Sequence, residues 1–231
     1  MEEIIHDGNW HQFLSPVVDG ENKARGLVPR NMQACPWGSM PEAPGFSMDI
    51  LPQGEWAGRC TEKIASGTLL SNIRLRGNYG QPIKSLDQNG QGYCWYYSTT
   101  GAVMIQRALA NLPHVRLSAH AGACMVKNFR DEGGWCGESL VRQVSHGTPT
   151  VDFWPEKSMS RAYDKPETWA NAALHKVTEG FYDLGAPIWD QKLTFDQVVT
   201  CLLLSIPCVG DFNWWSHSVC LLDVVNGAAQ Y

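Results

Sequence analysis

The segment Asp87-Gln88-Asn89-Gly90-Gln91-Gly92-Tyr93-Cys94-Trp95-Tyr96-Tyr97-Ser98 sets a thiol directly after a glycine-containing loop. It also stands at the head of a stretch with helical apolar spacing. A cysteine in the first turn of a helix meets unpaired backbone amides and the positive end of the helix dipole. Both lower a thiol pKa and make the sulfur a better nucleophile at neutral pH. Six residues before it, Gln88 carries an amide N–H₂ suited to hold a developing oxyanion beside the Cys94 N–H. An isolated Cys-Trp pair is more often a buried structural cysteine; the glutamine and the loop turn the reading toward acyl chemistry.

These residues need a scaffold, and the pattern from Leu86 onward supplies one. Trp95, Ala102, Ile105 and Leu109 form an apolar stripe that predicts a helix over residues 94–110, ended by Asn111-Leu112-Pro113. Ser118 is the expected N-cap of a shorter helix over Ala119–Lys127. A turn at Asp131-Glu132-Gly133-Gly134 leads through Trp135 to a helix near Glu138–Val144, and another is expected over Glu167–Val177. Thr194 with Gln197 reads as a capping box opening a helix whose buried face is Phe195, Val198, Val199, Leu202 and Leu203. Cys208–Phe212 and His217–Val225 read as strands. Helices first and strands last predict an α+β domain with segregated halves.

Residues 1–80 differ. Pro16, Pro29, Pro36, Pro41, Pro44 and Pro52, interleaved with glycines, let no period survive and predict an arm of loops and short elements. Trp10, Phe13, Trp37, Phe46 and Trp56 would pack it on the domain at 81–231.

Composition narrows the function classes. With 231 residues, 44% apolar and 18% charged, the chain is of globular type. A net charge of −5 and the lack of a Lys/Arg stripe argue against a nucleic-acid partner. The run Cys201-Leu202-Leu203-Leu204 falls far short of the ~20 apolar residues that span a bilayer, so no membrane is expected. The acidic start, Met1-Glu2-Glu3-Ile4, has no signal-peptide pattern, and the cytoplasm is the expected compartment. Eight cysteines contain no Cys-x-x-Cys, so zinc or another metal is not expected, and most read as buried thiols.

Gln88 followed by Cys94-Trp95, with Ser98 three beyond the tryptophan, resembles the nucleophile segment of papain-like cysteine peptidases. Leu117-Ser118 with Cys124 loosely resembles a helix of that family, with Gly122 where its second leucine belongs. Gly133-Gly134-Trp135 is similar to the Gly-Gly-aromatic turn that binds substrate backbone and begins the pocket for the second residue before the cut. Trp214-Trp215-Ser216-His217-Ser218-Val219 is similar to the catalytic-histidine segment. The matches run in family order from about Gln81 to Val225.

The resemblance implies a two-lobed papain-like fold, a helical lobe presenting Cys94 and a strand-rich, barrel-like lobe presenting His217. It implies a thiolate–imidazolium pair in which Cys94 attacks a peptide carbonyl, Gln88 and the Cys94 N–H hold the oxyanion, and His217 serves as general acid and base, without a cofactor. The partner implied is a peptide or protein substrate held by Gly133, Gly134 and Trp135. The overall pattern most resembles bacterial or phage-type relatives, which for a phage protein would add virion association to the expected locations. The oligomeric state is left open.

Departures from the family are specific. His217 follows Cys94 by 123 residues, short of the ~130–150 of relatives. No Asn-Ser-Trp-Gly segment follows it; Asn226 is too far along the strand, while Asn213 and Asp211 have no family precedent. The expectation drawn is a C-terminally incomplete chain, with an enzyme working without the third residue as the other choice. Gln91 stands where relatives carry a cysteine, in keeping with a reducing compartment. Arg25 and Arg30 suggest a processing site in a pro-segment-like arm. His120, His146 and His175 read as surface or packing residues. Two further functions share these features: a non-catalytic papain-like structural or binding protein, and a Cys-His amidase acting on cell-wall peptides.

Overall fold

Helix α3 (Cys94–Leu109) is apolar on nearly every side, with Cys94, Trp95, Tyr96, Val103, Met104 and Ile105 all buried. A helix of that kind belongs inside a domain. The structure, a computed structural model, describes residues 17–18, 21–22, 25–43, 46–77, 80–185, 191–225 and 228–230. Around α3 pack α2 (Leu70–Arg76), α4 (Ala119–Val126), α5 (Cys136–Ser145) and the strands β3 (Cys208–Phe212) and β4 (His217–Leu221). The fold is mixed helix and strand.

The sequence-predicted helices form with shifted ends. Ser118 caps α4, its hydroxyl accepting from the Ala121 amide at 3.4 Å. Helix α6 (Pro166–Ala173) stops four residues before Val177, as the chain turns under His175 and Val177 to bond back to Ala172 and Gln143. Helix α7 (Gln191–Leu203) starts three residues before Thr194, which therefore lies within the helix and not at its cap. Gln197 is buried and its side-chain oxygen accepts from the Gly185 amide at 2.9 Å, a tertiary bond in place of the capping box.

The punctuated N-terminal region contains a 14-residue helix, α1 (Gln53–Ser66). Trp56, Cys60 and Lys63 form its buried stripe, while a Cβ on Gly54 or Gly58 would meet nothing, so those glycines sit on the open face. Gly67, at φ 66°, ends α1 in the left-handed conformation suited to glycine. Trp56, Cys60 and Leu70 join Ile105, Val199, Leu202 and Val224 in the larger core. Trp37 and Phe46 lie against Arg30 and Tyr182, whereas Trp10, Phe13 and Asn226 fall outside the described residues. A second, aromatic core of Tyr93, Trp95, Tyr96 and Trp154 lies under the N-terminal end of α3. There Gly122 is required by packing, because a Cβ on it would stand 1.9 Å from Tyr96 Cζ.

Among the described residues the strands form three separate antiparallel pairs and no closed barrel. These are β1 (Val17–Val18) with β2 (Glu21–Asn22), β3 with β4, and β5 (Asp223–Val225) with β6 (Ala228–Gln230). The expected strand 217–225 breaks at Leu222. Beyond the break the Asp223 carboxylate accepts from the Leu70 and Ser71 amides at 2.7 and 3.0 Å, capping α2 and turning β5 away from β4. No described helix is long and apolar enough to cross a membrane.

Candidate active site

Cys94 is the first residue of α3 and is 2% exposed. The loop before it is held at both ends. Asn89 and Gly90 take left-handed backbone angles of 55° and 76°, and the Gln91 amide donates to the Gln88 carbonyl at 3.2 Å. Asp131 accepts from the Gly92 amide at 2.8 Å, and the Trp95 indole N–H donates to the Gly92 carbonyl at 3.1 Å. Gln88 lies half-buried in this turn. His120, fully buried on α4, bonds Gln91 through Nε2 and Tyr97 through Nδ1, so it braces the loop and is not a surface residue. His175 is also buried, and His146 is exposed.

His217 begins β4 opposite Phe212, just after Ser216, whose φ is 51°. Its ring stands edge-on to Trp215 at 4.9 Å. Packing of β4 on α3 brings the head of that strand to the Cys94 end of the helix. At the sulfur the Ser218 and Gly26 amides favour the thiolate, while the single Ser218 hydroxyl proton goes to Asp211. Side chains alternate along a strand, so Ser218 shares a face with its cross-strand partner Asp211, and His217 shares the other with Phe212. Among the described residues no hydrogen bond joins Cys94 to His217, and the buried His217 Nδ1 has no hydrogen-bond partner.

The electrostatics follow from burial. Desolvation raises the Cys94 pKa, and the Asp211 charge adds to it against the opposing pull of the Ser218 and Gly26 donors. Desolvation and then the nearby Arg25 guanidinium lower His217 to about 4. At neutral pH this arrangement holds a thiol and a neutral imidazole, not the ion pair the resemblance implies. Asp211 is the link that sequence reasoning did not assign. One carboxylate oxygen accepts from the Ser218 hydroxyl at 2.5 Å, the other from the Cys136 amide at the start of α5 at 3.0 Å.

Residues 25–28 lie across the site. The Gly134 amide donates to the Gly26 carbonyl at 2.8 Å, and the Val28 amide donates to the Gly134 carbonyl at 2.9 Å, a parallel bridge of Leu27 to Gly134. The Leu27 amide donates to the Ser216 carbonyl at 3.3 Å, and Arg25 donates to the Trp215 carbonyl at 3.4 Å. Gly133 packs on Val28 and Gly26, which leaves no room for a side chain at position 133. Gly134 thus pairs with a stretch of the chain's own backbone, and Gly133 packs against it. An open groove of about 310 Å³ remains beside it, lined by Arg25, Val28, Gly92 and Asp131. Nothing local in residues 25–28 announces this pairing, which spans more than a hundred positions.

All eight cysteines are free thiols, and among the described residues no group of three or more His, Cys, Asp or Glu is placed to hold a metal ion. No protein-family model and no curated protein matches the chain. Two solved structures resemble it. Xylellain, a cysteine protease from Xylella fastidiosa, matches with a TM-score of 0.52 at 15% identity, over 82% of this chain and 67% of that one. Digestive procathepsin L 3 of the Tenebrio molitor larval midgut matches with a TM-score of 0.40 at 16% identity, over 76% and 75%. The xylellain match shows a shared fold.

Proposed function

We propose that this chain is a papain-like cysteine peptidase acting on peptide or protein substrates, held latent by its own N-terminal arm. The observation that carries the reading is the extended segment 25–28 bonded main chain to main chain at Gly134 and running over the Cys94 thiol. A cleft that takes one peptide backbone at its nucleophile is fitted to take another. Helices α3–α5 form one lobe, β3–β6 the other, and the substrate lies between them.

The chemistry runs from Cys94. With the arm displaced, His217 turns from the Phe212 side of β4 to the sulfur and takes the thiol proton, and the sulfur attacks the carbonyl carbon. Gln88 and the Cys94 amide hold the oxyanion. The C–N bond breaks as His217 protonates the leaving amine; water, deprotonated by His217, then cleaves the thioester and restores the thiol. Removing the Arg25 charge relieves part of what keeps His217 neutral. Of the expected arm, residues 1–80, the pro-segment-like part is the stretch before α1, since Trp56, Cys60 and Leu70 belong to the core of the peptidase domain expected at 81–231.

The test is intact-protein mass after incubation with a papain-directed epoxysuccinyl inhibitor. A Gly26→Ala chain, in which the arm is unseated, should gain one adduct; Cys94→Ala should gain none and His217→Ala should react slowly. A second reading, a cleft-bearing binding protein without catalysis, draws support from the unpartnered His217 Nδ1. It predicts no adduct on a well-folded Gly26→Ala chain, and that result would end the peptidase reading.

A further inference from the structure

Arg30 is bound through its whole guanidinium group. Its guanidinium carbon lies 4.8 Å from the centre of the Trp135 ring and 4.4 Å from that of the Trp37 ring. Nη1 donates to Asp183 Oδ1 at 2.7 Å and Nη2 to Oδ2 at 3.0 Å, a forked pair with side chains only 9% and 6% exposed. A planar cation stacked on an aromatic and paired edge-on with a carboxylate uses arginine's geometry fully. The remaining bond to Asp183 comes from the Gly38 amide at 2.8 Å. Among the described residues, then, every hydrogen bond to this buried carboxylate originates in residues 30–38, and the body of the protein contributes none. Trp135, the aromatic wall, follows directly on Gly134, which grips the backbone over Cys94.

When the arm lifts, Asp183 loses all of these donors at once, and its carboxylate beside Trp135 is open to another cation. We infer that Trp135 and Asp183 form a specificity pocket for an arginine side chain of the substrate, which Arg30 fills in the latent chain. The inference rests on the peptidase reading of the cleft, and adds to it a substrate class: peptides with a guanidinium close to the cut. Lysine, a point charge without the planar fork, fits the same pocket less well.

The test uses the full-length chain carrying Gly26→Ala and Arg30→Ala, which unseats the arm and empties the pocket. Two peptidyl acyloxymethyl ketones, identical except for arginine or leucine in the penultimate position, are compared with iodoacetamide for labelling of Cys94. The arginine probe should react at least roughly tenfold faster than the leucine probe. Adding Asp183→Asn should bring that ratio near one. Independently of labelling, methylguanidine should raise the melting temperature of Arg30→Ala and leave that of Arg30→Ala/Asp183→Asn unmoved. Arg30→Gln, which keeps donors for the Cys35 and Pro36 carbonyls, serves the same comparisons should Arg30→Ala fail to fold. Equal rates with the two peptide probes would overturn the pocket while leaving the peptidase reading intact. Reaction with iodoacetamide but with neither peptide probe would overturn both.

Discussion

Gly26 of the arm and Gly92 of the loop before the nucleophile pass so closely that a Cβ on Gly26 would stand 1.8 Å from the Gly92 carbonyl oxygen. Both backbones are fixed, Gly92 by Asp131 and Trp95, Gly26 by Gly134. One methyl group therefore decides whether the arm can lie over the thiol.

Gly26→Ala should unseat residues 25–28 while leaving the core intact, since the clash is met by moving the arm. Alkylation of Cys94 by iodoacetamide, followed by intact mass, should accelerate by about tenfold or more, the effect of roughly 1.4 kcal/mol on the closed state. An unchanged rate would mean that the arm does not control access.

The Asp211 charge is one reason the Cys94 thiol titrates high. Asp211→Asn removes the charge and keeps a carbonyl acceptor for the Cys136 amide or the Ser218 hydroxyl. In the Gly26→Ala chain, the pH midpoint of Cys94 alkylation should move to lower pH. A midpoint that stays or rises would show that Asp211 acts by holding Ser218 and not by its charge.

His120 and His217 are both lowered to about 4, chiefly by burial. The unfolded chain takes up these protons near pH 6.5, the folded chain only near 4. Their contribution is therefore complete above about pH 6.5 and is lost as the pH falls toward 4, on the order of 3 kcal/mol for each group. Urea midpoints measured at pH 7.5, 6 and 5 should fall steadily. A flat profile would show that neither imidazole is held neutral by the fold.

Asp223 caps α2 through the Leu70 and Ser71 amides. Asp223→Ala should cost about 1–2 kcal/mol, and so lower the melting temperature by roughly 2–8 °C for a chain of this size. Asn in the same place should recover part of the loss.

How much of this was legible beforehand depends on the range of the interaction. The Cys94 helix, the Ser118 cap and the strand Cys208–Phe212 follow from spacing and composition within a few residues, and all three form. Helix α1 was hidden by Gly54 and Gly58, which break propensity but not the buried stripe of Trp56, Cys60 and Lys63. The start of α7 was misread because Gln197 finds Gly185 as partner, not its own helix terminus. At the site, motif order pointed to Cys94, His217 and the two glycines. It could not give the strand face, and the alternation that sets Ser218 on the sulfur while His217 shares the Phe212 face depends on register. The arm's seat, from Arg25 on Trp215 to Arg30 on Asp183, joins positions as many as 190 residues apart. No local signal encodes such a pairing.

The arm is also carried on an element that cannot leave. Residues 25–43 lead within about ten positions to α1, whose Trp56 and Cys60 are part of the core. A displaced arm thus remains leashed beside its own seat, at an effective concentration in the millimolar range for so short a tether. Any free peptide must compete with that internal ligand, so its apparent affinity falls in proportion to the fraction of molecules whose cleft is open. Severing the chain between Arg30 and α1 would release the ligand to bulk dilution and turn a reversible closure into a one-way opening.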